Sequence, residues 1–219
     1  RMKALRSLVD ALRRVVETGG ANAVALDERT VSSVAGLVRN IDAPELGVLR
    51  ENYERRRGRE VCVEYIAVGE CEQFSMSVFV LPPNACIPLH DHPNMVVFSK
   101  ILWGELELHA YDLLPDDGSS AARDYSTVRV RPRDPRLLSS GEVAVTAQTL
   151  GNVHEFRATQ WTAVFDLLIP PYNPLEGRSC HYFGHPSPAQ GDISTLRRTA
   201  CPDWFYTARG EYRGERTGL

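Results

Sequence analysis

Three histidines carry the clearest chemistry of this chain: His90 and His92 lie two residues apart, and His154 follows in Gly151-Asn152-Val153-His154. Residues two apart on an extended segment point to one side, so His90 and His92 can bind one ion together. A later strand of a closed β-structure can bring His154 opposite this pair. Three neutral imidazoles leave a divalent metal its full charge and about three open positions. Such a site favours a substrate that supplies anionic ligands.

The spacing around His90 matches a metal motif of small β-barrels that reads Gly, five residues, His-x-His, four residues, Glu, six residues, Gly. Gly104 occupies the last position, and Asn84 replaces the first glycine, a tolerable exchange because both residue types accept left-handed backbone. Val97 occupies the glutamate position. The sequence therefore predicts three histidine ligands and no carboxylate ligand, rather than a surface histidine pair and an unrelated core histidine.

Composition limits the class of protein. At 219 residues, 43% of them hydrophobic and 24% charged, the chain fits one core, and its net charge of −3 gives no general attraction for nucleic acid or anionic membranes. No apolar run approaches the ~20 residues needed to span a bilayer, and the start lacks the apolar core of a signal peptide. Five cysteines without paired spacing predict reduced thiols. We expect a cytoplasmic or nuclear protein.

The hydrophobic pattern changes along the chain. Helical stripes over the first forty-odd residues predict one helix that ends at Gly19-Gly20 and a second one behind Asp27 as a cap. From residue 61 onward, period-two segments separated by turns, such as Trp103-Gly104-Glu105, predict a sandwich or barrel. The predicted strands are Val61–Val68, Phe74–Leu81, Met95–Trp103, Glu105–Asp112, Tyr125–Arg131, Glu142–Thr146, His154–Ala158 and Thr162–Ile169. We expect a single domain: a helical segment, 1–60, packed on a barrel, 61–219, whose C-terminal arm from Arg178 wraps it.

Four separated motifs, in order, resemble the plant cysteine oxidases and animal cysteamine dioxygenase over residues 5 to about 185. They are Ile87-Pro88-Leu89-His90-Asp91-His92-Pro93, Phe98-Ser99-Lys100-Ile101-Leu102-x-Gly104, Gly151-Asn152-x-His154, and Asp166-x-x-x-Pro170-Pro171-Tyr172-x-Pro174-x-Glu176-Gly177-Arg178-x-Cys180-x-Tyr182. The helical front end and the Phe-Ser-Lys motif resemble the plant type more than the animal type.

The resemblance implies a mostly β cupin fold, a double-stranded β-helix or jelly-roll-like barrel, with N-terminal helices. It implies a monomeric Fe(II) thiol dioxygenase that adds both atoms of dioxygen to a thiol. In plant-type members the thiol is the N-terminal cysteine of a protein, and its oxidation to sulfinic acid is an oxygen-sensing step of the N-degron pathway. The animal enzyme also takes cysteamine. The open positions of the metal suit a thiolate, an amine and dioxygen.

Other functions stay open on the residues alone. Zinc, nickel and manganese also bind three histidines. A cupin isomerase or hydrolase would need acidic residues near His92 to activate water, and Val97 disfavours it. A binding or storage cupin commonly loses ligands, whereas His90, His92 and His154 are all present.

Four further residues are candidates for the catalytic site. Asp166, in an apolar run, needs a partner: an ion pair with Arg178 or, as the resemblance implies, a substrate amine or a histidine ligand. Tyr172 follows Pro170-Pro171 and either aims its hydroxyl at the dioxygen site or anchors the loop. Cys180 and Tyr182 share a face of an extended segment. The resemblance raises a thioether crosslink between them, and we favour the unlinked thiol.

The remaining histidines are expected at the surface. His109 shares its phase with two glutamates, Glu105 and Glu107, and His181 and His185 lie in the aromatic tail. One of the latter two is a candidate for a contact just outside the ligands.

Overall fold

The computed structural model describes residues 3–19, 26–55, 62–115, 126–187 and 191–219. Within these ranges the chain begins with three helices and continues with short strands. The helices are α1 Ala4–Gly19, α2 Glu28–Val38 and α3 Glu51–Glu54. The strands are β1 Val63–Glu70, β2 Ser75–Leu81, β3 Cys86–His90, β4 Val96–Trp103, β5 Glu105–Leu113, β6 Thr127–Pro132, β7 Arg136–Ser139, β8 Val143–Thr146, β9 Val153–Ala158, β10 Thr162–Ile169, β11 Tyr182–Phe183, β12 Ser194–Thr199 and β13 Thr207–Arg209.

The strands form two sheets that together make up the barrel and enclose its interior. The first sheet has the order β13-β1-β2-β10-β4-β8, and the second has the order β6-β12-β11-β3-β9-β5-β7 with an additional β5–β6 pairing. Nearly all pairings are antiparallel, β1–β13 being parallel. This is the cupin fold, with N-terminal helices, that the motifs predicted.

The two N-terminal helices cover the outer face of the first sheet. Leu8 and Leu12 of α1 and Val38 of α2 are fully buried in one cluster with Phe98 and Phe165 of the sheet. The expected cap of α2 is confirmed, because Asp27 accepts a hydrogen bond from the backbone N–H of Thr30 at 2.7 Å.

The ammonium group of Lys100 on β4 joins this helical layer to the sheet. It donates to the backbone carbonyls of Arg39, at 2.7 Å, and of Ile41. These carbonyls follow α2, so the buried charge is satisfied by backbone acceptors just after the helix.

Strands β4 and β10 are buried at every position. Alternate side chains on these strands face opposite sides of the sheet. On β10, Phe165 and Leu167 contact the helical layer, whereas Val164 and Leu168 face the barrel interior. A strand covered on both faces does not need polar residues at alternate positions.

Two positions need left-handed backbone. Asn84, at the leading position of the metal motif, has φ +66°, and Gly104, at its end, has φ +88°. A Cβ on Gly104 would lie 2.3 Å from the carbonyl oxygen of Trp161. The turn between β4 and β5 therefore requires glycine for space as well as for backbone conformation.

The C-terminal tail is more regular than the predicted arm. Strands β11 and β12 extend the second sheet, and β13 pairs with β1 in the first, so residues 200–206 lead from one sheet to the other. The sequence also missed β3 and β7 as strands. Residues 61, 125 and 116–120, where two predicted strands begin and a loop was expected, lie outside the described residues. Among the described helices, none combines the length and apolar character needed to cross a bilayer.

Candidate metal centre

The three histidines converge on the inner face of the second sheet. His90 ends β3 and is paired with His154 of β9 in the antiparallel register, and His92 follows two residues later. The ring centroids of His90 lie 4.8 Å from those of His92 and His154, and the latter two are 5.0 Å apart. One nitrogen from each ring falls within 4.8 Å of the others, close enough to hold one metal ion.

The second nitrogen of each ring has an oxygen partner. His90 Nδ1 lies 2.8 Å from the Pro88 carbonyl oxygen, His154 Nδ1 lies 3.3 Å from that of Gly151, and His92 Nδ1 lies 2.8 Å from the Tyr172 hydroxyl. A carbonyl only accepts, so Nδ1 of His90 and His154 carries the proton. Each Nε2 then keeps its lone pair free. His92 Nε2 is buried without a hydrogen-bond partner, as a metal ligand would be.

Burial keeps the three imidazoles neutral. It lowers the pKa of His90 and, reinforced by the two neighbouring rings, lowers that of His92 well below its ordinary value. Burial, reinforced by the neighbouring His90 ring, lowers the pKa of His154 to about 3. Neutral imidazole is the metal-binding form, so these residues fit a divalent transition metal.

Tyr172 holds the His92 ring in place instead of facing away from it. Its hydroxyl lies 2.6 Å from the Asp91 carbonyl oxygen and 2.8 Å from His92 Nδ1, and the two rings stack at 5.4 Å. Burial raises the pKa of Tyr172 well above its ordinary value, so the hydroxyl donates to Asp91 and accepts from His92. This arrangement fixes the His92 tautomer with Nε2 available.

Asn152 fixes the backbone of His92. Its side-chain oxygen accepts from the His92 backbone N–H at 3.2 Å, and its amide donates to the carbonyls of His92, at 3.0 Å, and Ala147, at 3.2 Å. Asn152 is fully buried. The Gly-Asn-x-His motif contained this residue, but its spacing alone did not indicate that it bridges two loops.

Asp91, between the two ligands, is bound by His181. The Asp91 carboxylate accepts from the His181 backbone N–H at 2.8 Å and from its Nδ1 at 3.0 Å, and the Asp91 backbone N–H donates to the His181 carbonyl. His181 is partly exposed and makes the expected contact just outside the ligands, while His185 is exposed. The sequence could not show this, since the pairing joins residues 90 positions apart.

The wall opposite the histidines is apolar except for one carboxyl group. Val97, at the expected glutamate position, is buried with Met95 and Leu168 against Tyr172. Asp166 lies on the interior face of β10 between Val164 and Leu168. In the described part of the chain, the metal-type cluster contains the three histidines and no carboxylate.

The partner of Asp166 is Ser99, on the neighbouring strand. Burial raises the pKa of Asp166 to about 6, against the opposing hydrogen bond from Ser99, and Asp166 Oδ1 is buried without a partner. The expected ion pair with Arg178 is wrong, because Arg178 binds Glu176 at 2.7 Å and the Pro171 carbonyl at 3.1 Å. A histidine ligand is not the partner either, since each Nδ1 has another acceptor.

Cys180 and Tyr182 lie beside His90. Tyr182 is paired with His90 across β11 and β3, with ring centroids 6.5 Å apart, and its hydroxyl is a hydrogen-bond partner of the Cys180 thiol. Cys180 also contacts the Tyr172 hydroxyl. Burial raises the pKa of Cys180 to about 11, so the thiol stays protonated at pH 7.

The three histidines and their neighbours differ in exposure. His92 and His154 are buried, whereas His90 is partly exposed, as are Cys180 and Tyr182 next to it. Among the three histidines, His90 is therefore the one with a partly exposed side chain.

The PCO_ADO family model matches residues 27–216. Plant cysteine oxidase 2 of Arabidopsis thaliana is 31% identical over 186 residues, which are 83% of this chain and 67% of the relative. Plant cysteine oxidase 1 of the same plant is 31% identical over 191 residues, covering 82% and 63%. The 2-aminoethanethiol dioxygenase of Mus musculus is 34% identical over 159 residues, covering 62% and 61%. The chain thus spans between 61% and 67% of the length of these relatives.

Solved cupin structures resemble only part of the chain. An RmlC-like cupin from Desulfovibrio desulfuricans is 22% identical with a TM-score of 0.36, over 54% of this chain and 92% of its own. KdgF from Halomonas is 14% identical with a TM-score of 0.38, over 58% and 94%. The family match covers α2, α3, the barrel and the tail. The chain belongs to the PCO_ADO family of thiol dioxygenases, which includes the plant cysteine oxidases and the 2-aminoethanethiol dioxygenases.

Proposed function

We propose that this protein is an Fe(II)-dependent dioxygenase that converts the N-terminal cysteine of a protein or peptide to cysteine sulfinic acid. The observation that carries the proposal is the cluster of three histidine nitrogens, which within the described residues includes no carboxylate. Ferrous iron held by His90, His92 and His154 would supply the redox chemistry that adds dioxygen to a thiol. Three neutral ligands suit a substrate that brings its own negative charge as a thiolate.

The protein's own groups prepare the ligands before substrate binds. Tyr172, Pro88 and Gly151 supply the oxygens that keep each Nδ1 engaged, so the three rings need little reorganisation. The Asp91–His181 contact ties the segment between His90 and His92 to the tail. Preorganised ligands with satisfied outer contacts bind metal more tightly.

Asp166 is proposed to bind the free amine of the substrate. Its unpartnered oxygen faces the barrel interior, and an ammonium group there would satisfy a buried acceptor. The proposal requires Asp166 to be ionised, which a pKa of about 6 allows at neutral pH. The apolar side chains around Val97 exclude water from the same wall. An aminothiol is thereby favoured over a thiol without an amine.

The partly exposed approach past His90 supports a polypeptide substrate. An N-terminal residue must enter while the rest of the chain stays outside, and in the proposal it enters at the partly exposed edge beside His90. Cysteamine also carries a thiol and an amine, and is the alternative substrate. In the proposal, the sulfinic product is the oxygen-sensing signal of an N-degron pathway, in the cytoplasm or nucleus. The monomeric state stays a prediction.

The test is to load the full chain with Fe(II) without oxygen, add a peptide that begins with cysteine, and admit air. We expect a mass gain of two oxygen atoms on the peptide. The matched controls are the same peptide with an acetylated N-terminus, cysteamine, and the zinc-loaded protein. Faster turnover of cysteamine than of the peptide would assign the small substrate. No gain on any aminothiol would refute the dioxygenase and favour a metal-binding cupin of another function.

A further inference from the structure

Two cysteines of the tail lie opposite each other across neighbouring strands. Strands β11 and β12 are antiparallel, with Tyr182 paired with Thr199 and Phe183 paired with Arg198. Continuing this register by two residues beyond Tyr182 and Thr199 places Cys180 opposite Cys201. Directly opposed residues in antiparallel strands have Cβ atoms roughly 4.5–5.5 Å apart. A disulfide spans Cβ separations of about 3.5–4.5 Å, so a small adjustment suffices.

The side chains show the same proximity. The Tyr182 hydroxyl is a hydrogen-bond partner of both thiols, Cys180 and Cys201, and the two thiols also interact with each other. Both are free cysteines; Cys201 is exposed to solvent and Cys180 is half-buried. In such a pair, an oxidant reacts first with the accessible thiol and forms a sulfenic acid. The sheltered thiol then reacts with this sulfenic acid to form a disulfide.

We propose that Cys180 and Cys201 form a site of reversible oxidation that hydrogen peroxide converts to a disulfide. The exposed Cys201 sulfur attacks one peroxide oxygen, which breaks the O–O bond and gives a sulfenic acid and one water. The Cys180 thiol then gives its proton to the departing sulfenic oxygen as its sulfur attacks the Cys201 sulfur, and that oxygen leaves as a second water. Two thiols are oxidised by two electrons, one peroxide is reduced, and both thiol protons end in water.

The disulfide changes the surroundings of His90. Tyr182, paired with His90, loses both thiol partners, and Cys180 is no longer available for a thioether bond with Tyr182. The bond also ties residues 200–206, which lead to β13 in the first sheet, to the edge of β11. Oxidation would therefore act at the exposed side of the histidine centre.

The test uses the metal-free full chain, so its result does not depend on the proposed dioxygenase activity. The protein is treated with one equivalent of hydrogen peroxide, alkylated, digested with trypsin and analysed by mass spectrometry without reduction. Cleavage after Arg178, Arg197, Arg198 and Arg209 separates peptides 179–197 and 199–209. We expect these peptides joined, two hydrogen atoms lighter than their sum, with loss of both alkylated forms. Dithiothreitol should separate them, whereas it would not break a thioether.

Two variants control the assignment. Cys201→Ser should abolish the linked product. Cys86→Ser, which removes another half-buried thiol, should leave the linked product unchanged. The proposal is overturned if both tryptic peptides remain separately alkylated after peroxide treatment. It is also overturned if Cys201 joins Cys62 or Cys86 as readily as it joins Cys180.

Discussion

The two walls of the barrel interior differ in how their polar atoms are satisfied. On the histidine wall, Nδ1 of His90, His92 and His154 each contacts a protein oxygen. On the opposite wall, Asp166 Oδ1 is buried among apolar residues without a partner. The buried atom left without a partner on the histidine wall is a nitrogen suited to a metal, His92 Nε2, whereas on the opposite wall it is an oxygen suited to a hydrogen-bond donor.

This difference suggests that one wall serves metal binding and the other serves substrate binding. Fixed ring orientations reduce the reorganisation that metal binding requires, so the histidine wall suits the metal ion that we propose it holds. An unmatched buried oxygen costs stability, and a ligand that donates to it recovers that cost. The wall that carries Asp166 is therefore the one that should respond to substrate chemistry.

The largest effect is expected when one ligand of the histidine wall is removed. His154→Ala should abolish both iron retention and activity, because two histidines cannot hold the ion as three do. Metal content by elemental analysis and turnover of the cysteine peptide measure the two losses. His109→Ala is the matched control, since His109 lies on adjacent β5 with its side chain 37% exposed. A His154→Ala protein that keeps iron and activity would place the third ligand elsewhere.

On the opposite wall, replacing Asp166 should change the free energy of unfolding in a pH-dependent way. The pKa of Asp166 is about 6 in the folded metal-free protein, above its ordinary value of 3.8. The ionised carboxylate thus costs stability above pH 6, and this cost disappears as the pH falls towards 4. We expect Asp166→Asn to be more stable than the wild type by roughly 3 kcal/mol at pH 8 and equal to it near pH 4. Urea unfolding at both pH values measures the difference; equal stabilities at pH 8 would contradict the burial cost.

Variants of the Asp166 wall should lose substrate turnover without losing the metal, unlike variants of the histidine wall. Asp166→Asn removes the charge that we propose holds the substrate amine, so kcat/KM for a cysteine peptide should fall by about 10²-fold while most of the metal stays bound. Ser99→Ala removes only the hydrogen bond to Asp166 and should have a smaller effect. Unchanged kinetics in Asp166→Asn would reduce Asp166 to a structural role.

The smallest effect is expected when a residue that contacts a histidine ligand, but not the metal itself, is changed. Tyr172→Phe removes the hydroxyl that contacts His92 Nδ1 and the Asp91 carbonyl, and should weaken metal affinity by roughly 10-fold. Tyr182→Phe removes a hydroxyl that contacts thiols and should leave the affinity unchanged. Competition with a chelator compares the two variants. Equal affinities in Tyr172→Phe and the wild type would mean that stacking alone orients His92.

Much of the fold could be predicted from the sequence because the hydrophobic residues of its longer helices and strands recur with a clear period. Thr162–Ile169 was predicted with its observed bounds, and the predicted cap at Asp27 is present. The short strands β7, β11 and β13 escaped prediction because two to four residues carry too little periodicity. Their pairing is decided by neighbours distant in sequence.

The sequence by itself determined the donor set: three imidazoles, a valine in place of the glutamate, and the positions where backbone turns tightly. Only the tertiary structure decided the partners of those groups, such as Tyr172 for His92, His181 for Asp91 and Ser99 for Asp166. The physical reason is that residue type and spacing set which atoms can donate or accept. Which donor meets which acceptor depends on strand register and loop packing, which join residues distant in sequence, such as Asp91 and His181, 90 positions apart.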